Sequence, residues 1–308
     1  MPLTKPKLVI VLGPTAVGKS ELALELAPQI DGEIVNADSQ QVYRYMDIGT
    51  GKPSEAERKN VKHHLIDVVN PDEEFNAALY RRLATEAIDR IQRGGKTAVV
   101  CGGTGLYLKA LTHGLFTGPG QDPQIRRTLE AEINNTGLAG VYQRLVKIDG
   151  TVTSTIHPND RQRIIRALEI YESTGKPLSE WQKEHAFHEE PFEVCKIGLL
   201  RERTELYDHI NRRAERMIEE GLLEEVRGLV ARGFTLDLKP LRSVGYRQMG
   251  AVIQGMMEQA EALAEMKQET RHLAKRQLTW FRRDSEIRWY HPEKQKDEIF
   301  QAISEFLQ

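Results

Sequence analysis

The chain begins with a strand-like run, a glycine loop and a helix-like segment, in that order. Residues 7–12 form a mostly apolar run rich in β-branched side chains, and residues 13–20 read GPTAVGKS. This loop matches Gly-x4-Gly-Lys-Ser/Thr, in which loop amides and the positive end of the next helix bind phosphate oxygens. A lysine there adds a point charge and a serine can ligate magnesium. The sequence therefore predicts a phosphorylated ligand held by Gly13, Pro14, Thr15, Ala16, Val17, Gly18, Lys19 and Ser20, with Ser20 as the metal ligand.

Further short apolar runs alternate with helix-like segments along the chain. They predict strands at 33–37, 64–69, 97–101 and 194–200, and one long helix over 205–232. Such alternation is typical of a parallel sheet covered on both faces. Residues 122–190 lack strand-like runs and are predicted to be helical. We therefore expect an α/β, P-loop NTPase-like parallel sheet flanked by helices (1–121 and 191–308), with an inserted all-helical domain (122–190) and a helical C-terminal region.

Hydropathy and cysteine usage exclude several classes of protein. The longest apolar run is residues 8–12, whereas a membrane-spanning helix needs about 20 apolar residues. Cys101 and Cys195 are too far apart in sequence for the spacing of a typical zinc site. We expect neither a disulfide nor a zinc site, and a protein of the reducing cytoplasm without a membrane segment.

The charges are unevenly distributed along the chain. Lys and Arg number 43 against 45 Asp and Glu, a net charge of −2. Residues 270–283 nevertheless contain five Lys or Arg and no acid, and further basic stretches occur at 239–248 and 161–166. Local patches determine the field that a partner meets more than the net charge does.

Two acidic residues are candidates for the predicted site. Asp38 follows the predicted strand 33–37, at the edge where open α/β sheets bind ligands. Its alternative role is an Asx turn or helix cap. Asp67 could be the magnesium-binding acid of a hydrolytic P-loop protein, because strand 97–101 is followed by glycines and no acid.

Eight segments in sequence order resemble the signatures of bacterial tRNA dimethylallyltransferases. They are GPTAVGKS (13–20), DSQQVY (38–43), MDIGTGKP (46–53), HHLID (63–67), GGTGLY (102–107), HPNDRQR (157–163), SVGYRQM (243–249) and KRQLTWFR (275–282). The resemblance implies transfer of a dimethylallyl group from its diphosphate to N6 of the adenosine at tRNA position 37, next to the anticodon. The zinc finger of eukaryotic relatives is absent from this sequence, in agreement with the two cysteines.

The resemblance also implies roles for individual residues. The phosphate loop would hold the prenyl diphosphate instead of ATP, with Lys19 and Mg²⁺ stabilising the departing pyrophosphate. Asp38 would be the general base, and Thr104 would place a hydroxyl near the diphosphate and the target base. Arg213 would face the diphosphate, with Arg212 as a competing assignment. The expected catalytic residues are thus Asp38, Lys19, Thr104 and Arg213.

The basic patches and the resemblance together predict a surface for the tRNA anticodon stem-loop. For each arginine the alternative is a solvated helix face, and the aromatic residues, Phe281 among them, could either stack on nucleotides or belong to the core. No protein partner is implied. The expected tRNA contacts are Asp38, Ser39, Gln40, Gln41, Thr104, Arg126, Gln162, Arg163, Ile164, Ile165, Arg166, Arg242, Ser243, Val244, Gly245, Tyr246, Arg247, Lys275, Arg276, Gln277, Trp280 and Arg282.

Three other functions compete with tRNA prenylation. A P-loop kinase for a small molecule would use Lys19 and Ser20 on ATP, but it leaves the basic stretch 270–283 unexplained. Prenyl transfer to free AMP or ADP would need neither the helical insertion nor that stretch. A non-catalytic RNA-binding module would have no need of a complete phosphate loop.

Overall fold

A parallel sheet of six strands organises the larger part of the chain. The computed structural model describes residues 5–115, 118–185 and 189–308; residues 1–4 and 116–117 of the predicted core and 186–188 of the predicted insertion lie outside them. The strand order is β3-β2-β4-β1-β5-β6, and every neighbouring pair is parallel. The strands are β1 (Lys7–Leu12), β2 (Gly32–Asn36), β3 (His63–His64), β4 (Thr97–Gly102), β5 (Glu193–Leu199) and β6 (Arg288–Tyr290).

Helices cover both faces of this sheet. The side chains of β1 alternate, so that Leu8 and Ile10 join one core cluster and Val9 and Val11 the other. The predicted α/β fold class is confirmed. The helices are α1 (Lys19–Gln29), α2 (Glu55–Asn60), α3 (Ala77–Arg93), α4 (Gly105–His113), α5 (Pro123–Ile148), α6 (Arg161–Thr174), α7 (Leu178–His185), α8 (Arg203–Glu219), α9 (Leu222–Ala231), α10 (Tyr246–Ile253), α11 (Gln259–Phe281) and α12 (Lys296–Leu307).

The chain forms two compact units. One contains Met1–Thr112 and Glu190–Gln308, and the other contains His113–Glu189. The second unit is helical, with a core that includes Leu129 and Leu168, both fully buried. Within the described residues, no helix has the length and apolar character that crossing a membrane requires.

Two predicted elements were wrong in extent. The strand expected over 64–69 is only His63–His64, because Leu65 and Asp67 have left-handed φ angles of 64° and 56°, which interrupt an extended strand. The helix expected over 205–232 is two helices. Gly221, with φ 97°, breaks it between α8 and α9, since a residue in the left-handed region cannot continue a right-handed helix.

Gly102, at the end of β4, lies against the backbone that follows β2. A Cβ at this position would stand 2.3 Å from the carbonyl carbon and oxygen of Ala37, far inside van der Waals contact. We expect Gly102→Ala to lower the free energy of unfolding by about 1–3 kcal/mol, because one strand end must shift. Urea denaturation measures the change.

The matched control is Gly228→Ala in α9, where an added Cβ meets no atom within 4 Å among the described residues. Its expected effect is a gain of about 0.5–1 kcal/mol, since alanine favours a helix more than glycine does. Unfolding of both variants at the wild-type urea concentration would contradict the close contact between Gly102 and Ala37.

Candidate active site

A cleft opens beside the carboxyl ends of β1, β2 and β4. In the sheet register Leu12 is paired with Gly102, so the loops that leave β1 and β4 start side by side. This is the edge where open α/β sheets bind ligands. Seven residues predicted for the site line the cleft, namely Thr15, Lys19, Ser20, Asp38, Gln41, Arg213 and Gln277.

The phosphate loop has the backbone conformation that its glycines predict. Gly13 and Gly18 have φ angles of 148° and 107°, and Ala16 between them has φ 62°. A Cβ at Gly13 would lie 2.8 Å from the carbonyl oxygen of Leu199, so only glycine fits there. Gly18 is the N-cap of α1. The positive end of that helix therefore points at the cleft, as phosphate binding requires.

Lys19 folds over the loop to which it belongs. Its Nζ donates a hydrogen bond of 2.6 Å to the carbonyl oxygen of Pro14. Burial lowers the pKa of Lys19 from its usual 10.5 to about 8, while the charge of Asp38 raises it and that of Arg213 lowers it further. The ammonium is thus a poorly solvated cation whose charge an anionic ligand would stabilise.

Arg213 is the second cation of the cleft. It extends from α8, and its guanidinium donates to Thr15 Oγ1 at 3.4 Å and to the carbonyl oxygen of Thr50 at 3.1 Å. Burial lowers its pKa also. Arg212 is exposed and donates to Asp208 of its own helix. The geometry therefore places Arg213, and not Arg212, at the cleft.

Asp38 adopts the turn that was its alternative interpretation, and it also lines the cleft. Its Oδ1 accepts a hydrogen bond of 2.8 Å from the amide of Gln40, and its own amide donates to Asn36 Oδ1 at 3.1 Å. Oδ2 accepts no hydrogen bond from the described part of the chain. The turn thus fixes the carboxylate at the end of β2 and leaves one oxygen available to a ligand.

Thr104 connects the loop after β4 to the turn at Asp38. Its hydroxyl oxygen accepts a hydrogen bond of 3.0 Å from the amide of Ser39, and its own amide donates to the carbonyl oxygen of Ala37. The hydroxyl keeps its proton for another acceptor, because the Ser39 contact uses only a lone pair. Thr104 thus supports the segment that carries Asp38.

Asp67 is held in ion pairs away from the cleft lining. Lys52 approaches one of its oxygens at 2.6 Å and Arg58 the other at 2.7 Å. Both carboxylate oxygens are therefore occupied by cations of the chain. The alternative of Asp67 as the magnesium acid is not supported by this arrangement.

Glu225 is a residue of the site region that the sequence did not reveal. Its carboxylate accepts hydrogen bonds from the amides of Asp47, Ile48 and Gly49, at 2.7–3.2 Å, and from the hydroxyl of Tyr246 at 2.6 Å. It thereby shapes the segment that brings Thr50 to Arg213. Glu225 lies 176 residues or more from those amides, so no local pattern could have identified it.

Several predicted tRNA contacts belong to the interior instead. Tyr246 and Ile164 are fully buried, and Ile165 and Gly245 are buried as well. The side chains of Tyr246, Ile164 and Ile165 are therefore not exposed to a partner in this structure, because helical segments carry core and surface residues side by side. The amide of Gln277 is also used internally, between Thr15 and Gly103.

Buried Glu169 neutralises two arginines of the helical unit. Its carboxylate pairs with Arg126 at 2.8 Å and with Arg166 at 2.7 Å. Arg163 pairs with Asp160 at 3.3 Å, and Arg247 of the other unit pairs with Glu265 at 2.7 Å. These partners lie outside the acid-free stretches, so counting charges along the sequence overestimated the free positive charge.

Four of the predicted tRNA contacts remain exposed cations. Within the described ranges, none of them has a carboxylate within 4.0 Å. Trp280 of α11 is 37% exposed, whereas Phe281 is buried in the core. The four cations are Arg242, Lys275, Arg276 and Arg282.

Comparison with known proteins places this geometry in a family. The model of a family described as IPP transferase matches residues 41–284. A tRNA dimethylallyltransferase of Geobacter metallireducens is 51% identical over 302 residues, 98% of either chain. The tRNA isopentenylpyrophosphate transferase structure from Bacillus halodurans is 40% identical, with a TM-score of 0.73 over 98% of this chain and 97% of that one. A eukaryotic dimethylallyltransferase acting on tRNA is 28% identical, with a TM-score of 0.83 over 98% of this chain and 79% of that one.

Proposed function

The chain belongs to the IPP transferase family, and from that membership we propose that its cleft joins a dimethylallyl group to tRNA. It is a transferase that prenylates an adenosine of tRNA. The finer assignments belong to the proposal: dimethylallyl diphosphate as donor, N6 of adenosine 37 as acceptor, the anticodon stem-loop as the bound RNA, and the cytoplasm, where tRNA is found, as the location. The observation that carries it is the meeting of two cations and one carboxylate in a single cleft.

This set of charges suits both halves of a prenyl transfer. Lys19, Arg213 and the loop amides would stabilise negative charge as the C–O bond of the donor breaks and pyrophosphate leaves. N6 would form the new C–N bond to the allylic carbon, and Asp38 would accept the proton that N6 loses. Thr104 would hold the Asp38 turn and offer its hydroxyl proton.

Ser20 is the proposed ligand of Mg²⁺. Its side chain is exposed and lines the cleft. The described residues contain no group of three or more His, Cys, Asp or Glu side chains suited to a metal. Mg²⁺ is commonly bound through one or two protein oxygens together with substrate phosphates, so a hydroxyl beside the phosphate loop fits. When bound, the ion would supply positive charge to the diphosphate.

An assay with labelled dimethylallyl diphosphate tests the proposal. The protein is incubated with the labelled donor and, in separate reactions, with tRNA, AMP or no acceptor, and a parallel reaction contains labelled ATP. We expect label in tRNA, located at adenosine 37 by nuclease digestion. Label in AMP would instead support transfer to free nucleotides, and phosphate transfer from ATP would support the kinase.

Two exposed cations, Lys275 on α11 and Arg282 at its C-cap, provide a prediction about tRNA binding. If Lys275 and Arg282 each neutralise one phosphate, replacing both with alanine should reduce the slope of log K against log salt by about two units or slightly less. Affinity for the donor should not change. Filter binding of tRNA at several salt concentrations measures the slope.

A matched variant controls for the loss of two charges. Lys59 and Arg93 are each 82% exposed and belong to no predicted RNA surface, so the double alanine variant should keep the wild-type slope. An unchanged slope in the Lys275/Arg282 variant would mean that this face is merely solvated.

A further inference from the structure

The side-chain amide of Gln277 connects two loops that are distant in sequence. Its Oε1 accepts a hydrogen bond of 2.8 Å from the backbone amide of Thr15, and its Nε2 donates one of 2.9 Å to the carbonyl oxygen of Gly103. One planar group therefore spans the phosphate loop after β1 and the loop after β4. Gln277 lies on α11, 262 residues from Thr15 and 174 from Gly103.

Each of the two loops carries one side of the proposed reaction. Thr15 Oγ1 also accepts a hydrogen bond from the guanidinium of Arg213, so this loop contacts one of the cations proposed for the diphosphate. Gly103 precedes Thr104. The hydroxyl oxygen of Thr104 accepts a hydrogen bond from the amide of Ser39, the residue after Asp38. Hydrogen bonds and single backbone links thus connect the donor side to the general base, and Gln277 provides the two hydrogen bonds that join the loops.

Two glycines allow α11 to make this close approach. A Cβ at Gly103 would stand 2.5 Å from Nε2 of Gln277, and a Cβ at Gly105 would stand 2.3 Å from the indole of Trp280. Gln277 and Trp280 are three positions apart and therefore share one face of the helix. The face of α11 that carries Gln277 and Trp280 packs against residues 103–105. Lys275, Arg276 and Arg282 remain exposed.

We propose that Gln277 is a positioning residue that sets the separation between the diphosphate site and the acceptor site. The inference rests on the proposed function. The amide of Thr15 is bonded to Gln277 and so is not free to bind a phosphate oxygen; its use is to anchor the loop. Reacting atoms misplaced by about 1 Å can cost about 100-fold in rate. Loss of the two Gln277 hydrogen bonds therefore lowers the rate of transfer more than it weakens the binding of either substrate.

The test compares Gln277→Met, which keeps the side-chain length but forms neither hydrogen bond, with Gln268→Met. Gln268 is an exposed glutamine on the same helix. Single-turnover prenyl transfer should fall by about 10- to 100-fold in Gln277→Met. The dissociation constants of dimethylallyl diphosphate and tRNA should stay within about threefold of wild type, and Gln268→Met should match wild type in all three measurements.

Hydrogen exchange followed by mass spectrometry measures, without any substrate, whether the two Gln277 hydrogen bonds hold the loops. Peptides that cover residues 13–20 and 102–108 should both exchange faster in Gln277→Met. Gln277→Glu retains an acceptor for the amide of Thr15 but offers no proton to Gly103, so it should loosen chiefly the second peptide.

The outcomes separate this inference from the proposed function. Unchanged exchange of both peptides, or a transfer rate within about threefold of wild type, would overturn it. Tighter binding of the donor by Gln277→Met would also overturn it, because the amide would then be a competitor of the phosphate. If wild-type protein prenylated no tRNA, the proposed function would fail. The exchange of the two peptides would still decide whether Gln277 holds the two loops together.

Discussion

Asp38→Asn is expected to lower the single-turnover rate of prenyl transfer by about 10²–10⁴, which corresponds to roughly 3–5 kcal/mol. Asparagine cannot accept the proton that N6 of adenosine would lose in the proposed reaction. It can still accept the hydrogen bond that Oδ1 of Asp38 takes from the amide of Gln40, so the turn after β2 should persist. The rate change therefore reports proton transfer and not the loss of a turn.

The measurement is a rapid-quench experiment with labelled donor and excess enzyme. Donor and tRNA affinities should stay near those of wild type, and Asp72→Asn, an exposed acid replaced in the same way, should show the wild-type rate. A rate for Asp38→Asn within about tenfold of wild type would leave Asp38 with its structural role in the turn alone.

Lys19→Ala is expected to lower the turnover number by about 10²–10³ while tRNA affinity is maintained. In the proposed reaction its charge would act on negative charge that increases as pyrophosphate departs, so the variant should lose transition-state binding above all. Lys294→Ala, an exposed lysine elsewhere, is the control. Parallel loss of tRNA affinity and turnover in filter-binding and kinetic experiments would contradict the assignment.

The pH dependence of the same residue follows from its lowered pKa. Because the pKa of Lys19 in the free protein is about 8, the ammonium is charged at neutral pH and loses its proton as the pH rises through that value. The affinity for the donor should therefore fall above about pH 8. A bound diphosphate stabilises the cation and should move the transition to higher pH. The Lys19→Ala variant should show no such pH transition.

Local patterns predicted the parts of the site that local chemistry determines. The phosphate loop follows β1 as expected, because a contiguous sequence pattern identifies it, and its glycines Gly13 and Gly18 adopt positive φ angles. Asp38 reached the cleft for a similar reason, since a short turn after β2 holds it. Both features could be predicted from contiguous sequence, although Gly13 also has to fit against Leu199 and the amide of Ser39 is also bonded to Thr104.

Contacts between distant segments could not be anticipated in this way. The arginine pair Arg126 and Arg166 appeared free in sequence, yet both meet Glu169. Tyr246 lies within a basic segment but donates its hydroxyl to Glu225 from inside the core. The basic patches and the resemblance together placed Gln277 among the predicted RNA contacts, and only the fold shows that its amide bonds to the two loops.

Both cysteines lie in the sheet, and this bears on how the protein can be studied. Cys101 and Cys195 are free and buried, Cys101 next to the carbonyl oxygen of Lys19. Burial raises the pKa of Cys101 to about 12 and also raises that of Cys195. The thiolate, which is the reactive form, is therefore almost absent at neutral pH. A cysteine introduced on the surface of α11 should accordingly react with maleimide dyes or crosslinkers, while Cys101 and Cys195 remain unreactive. Neither native thiol would have to be removed first.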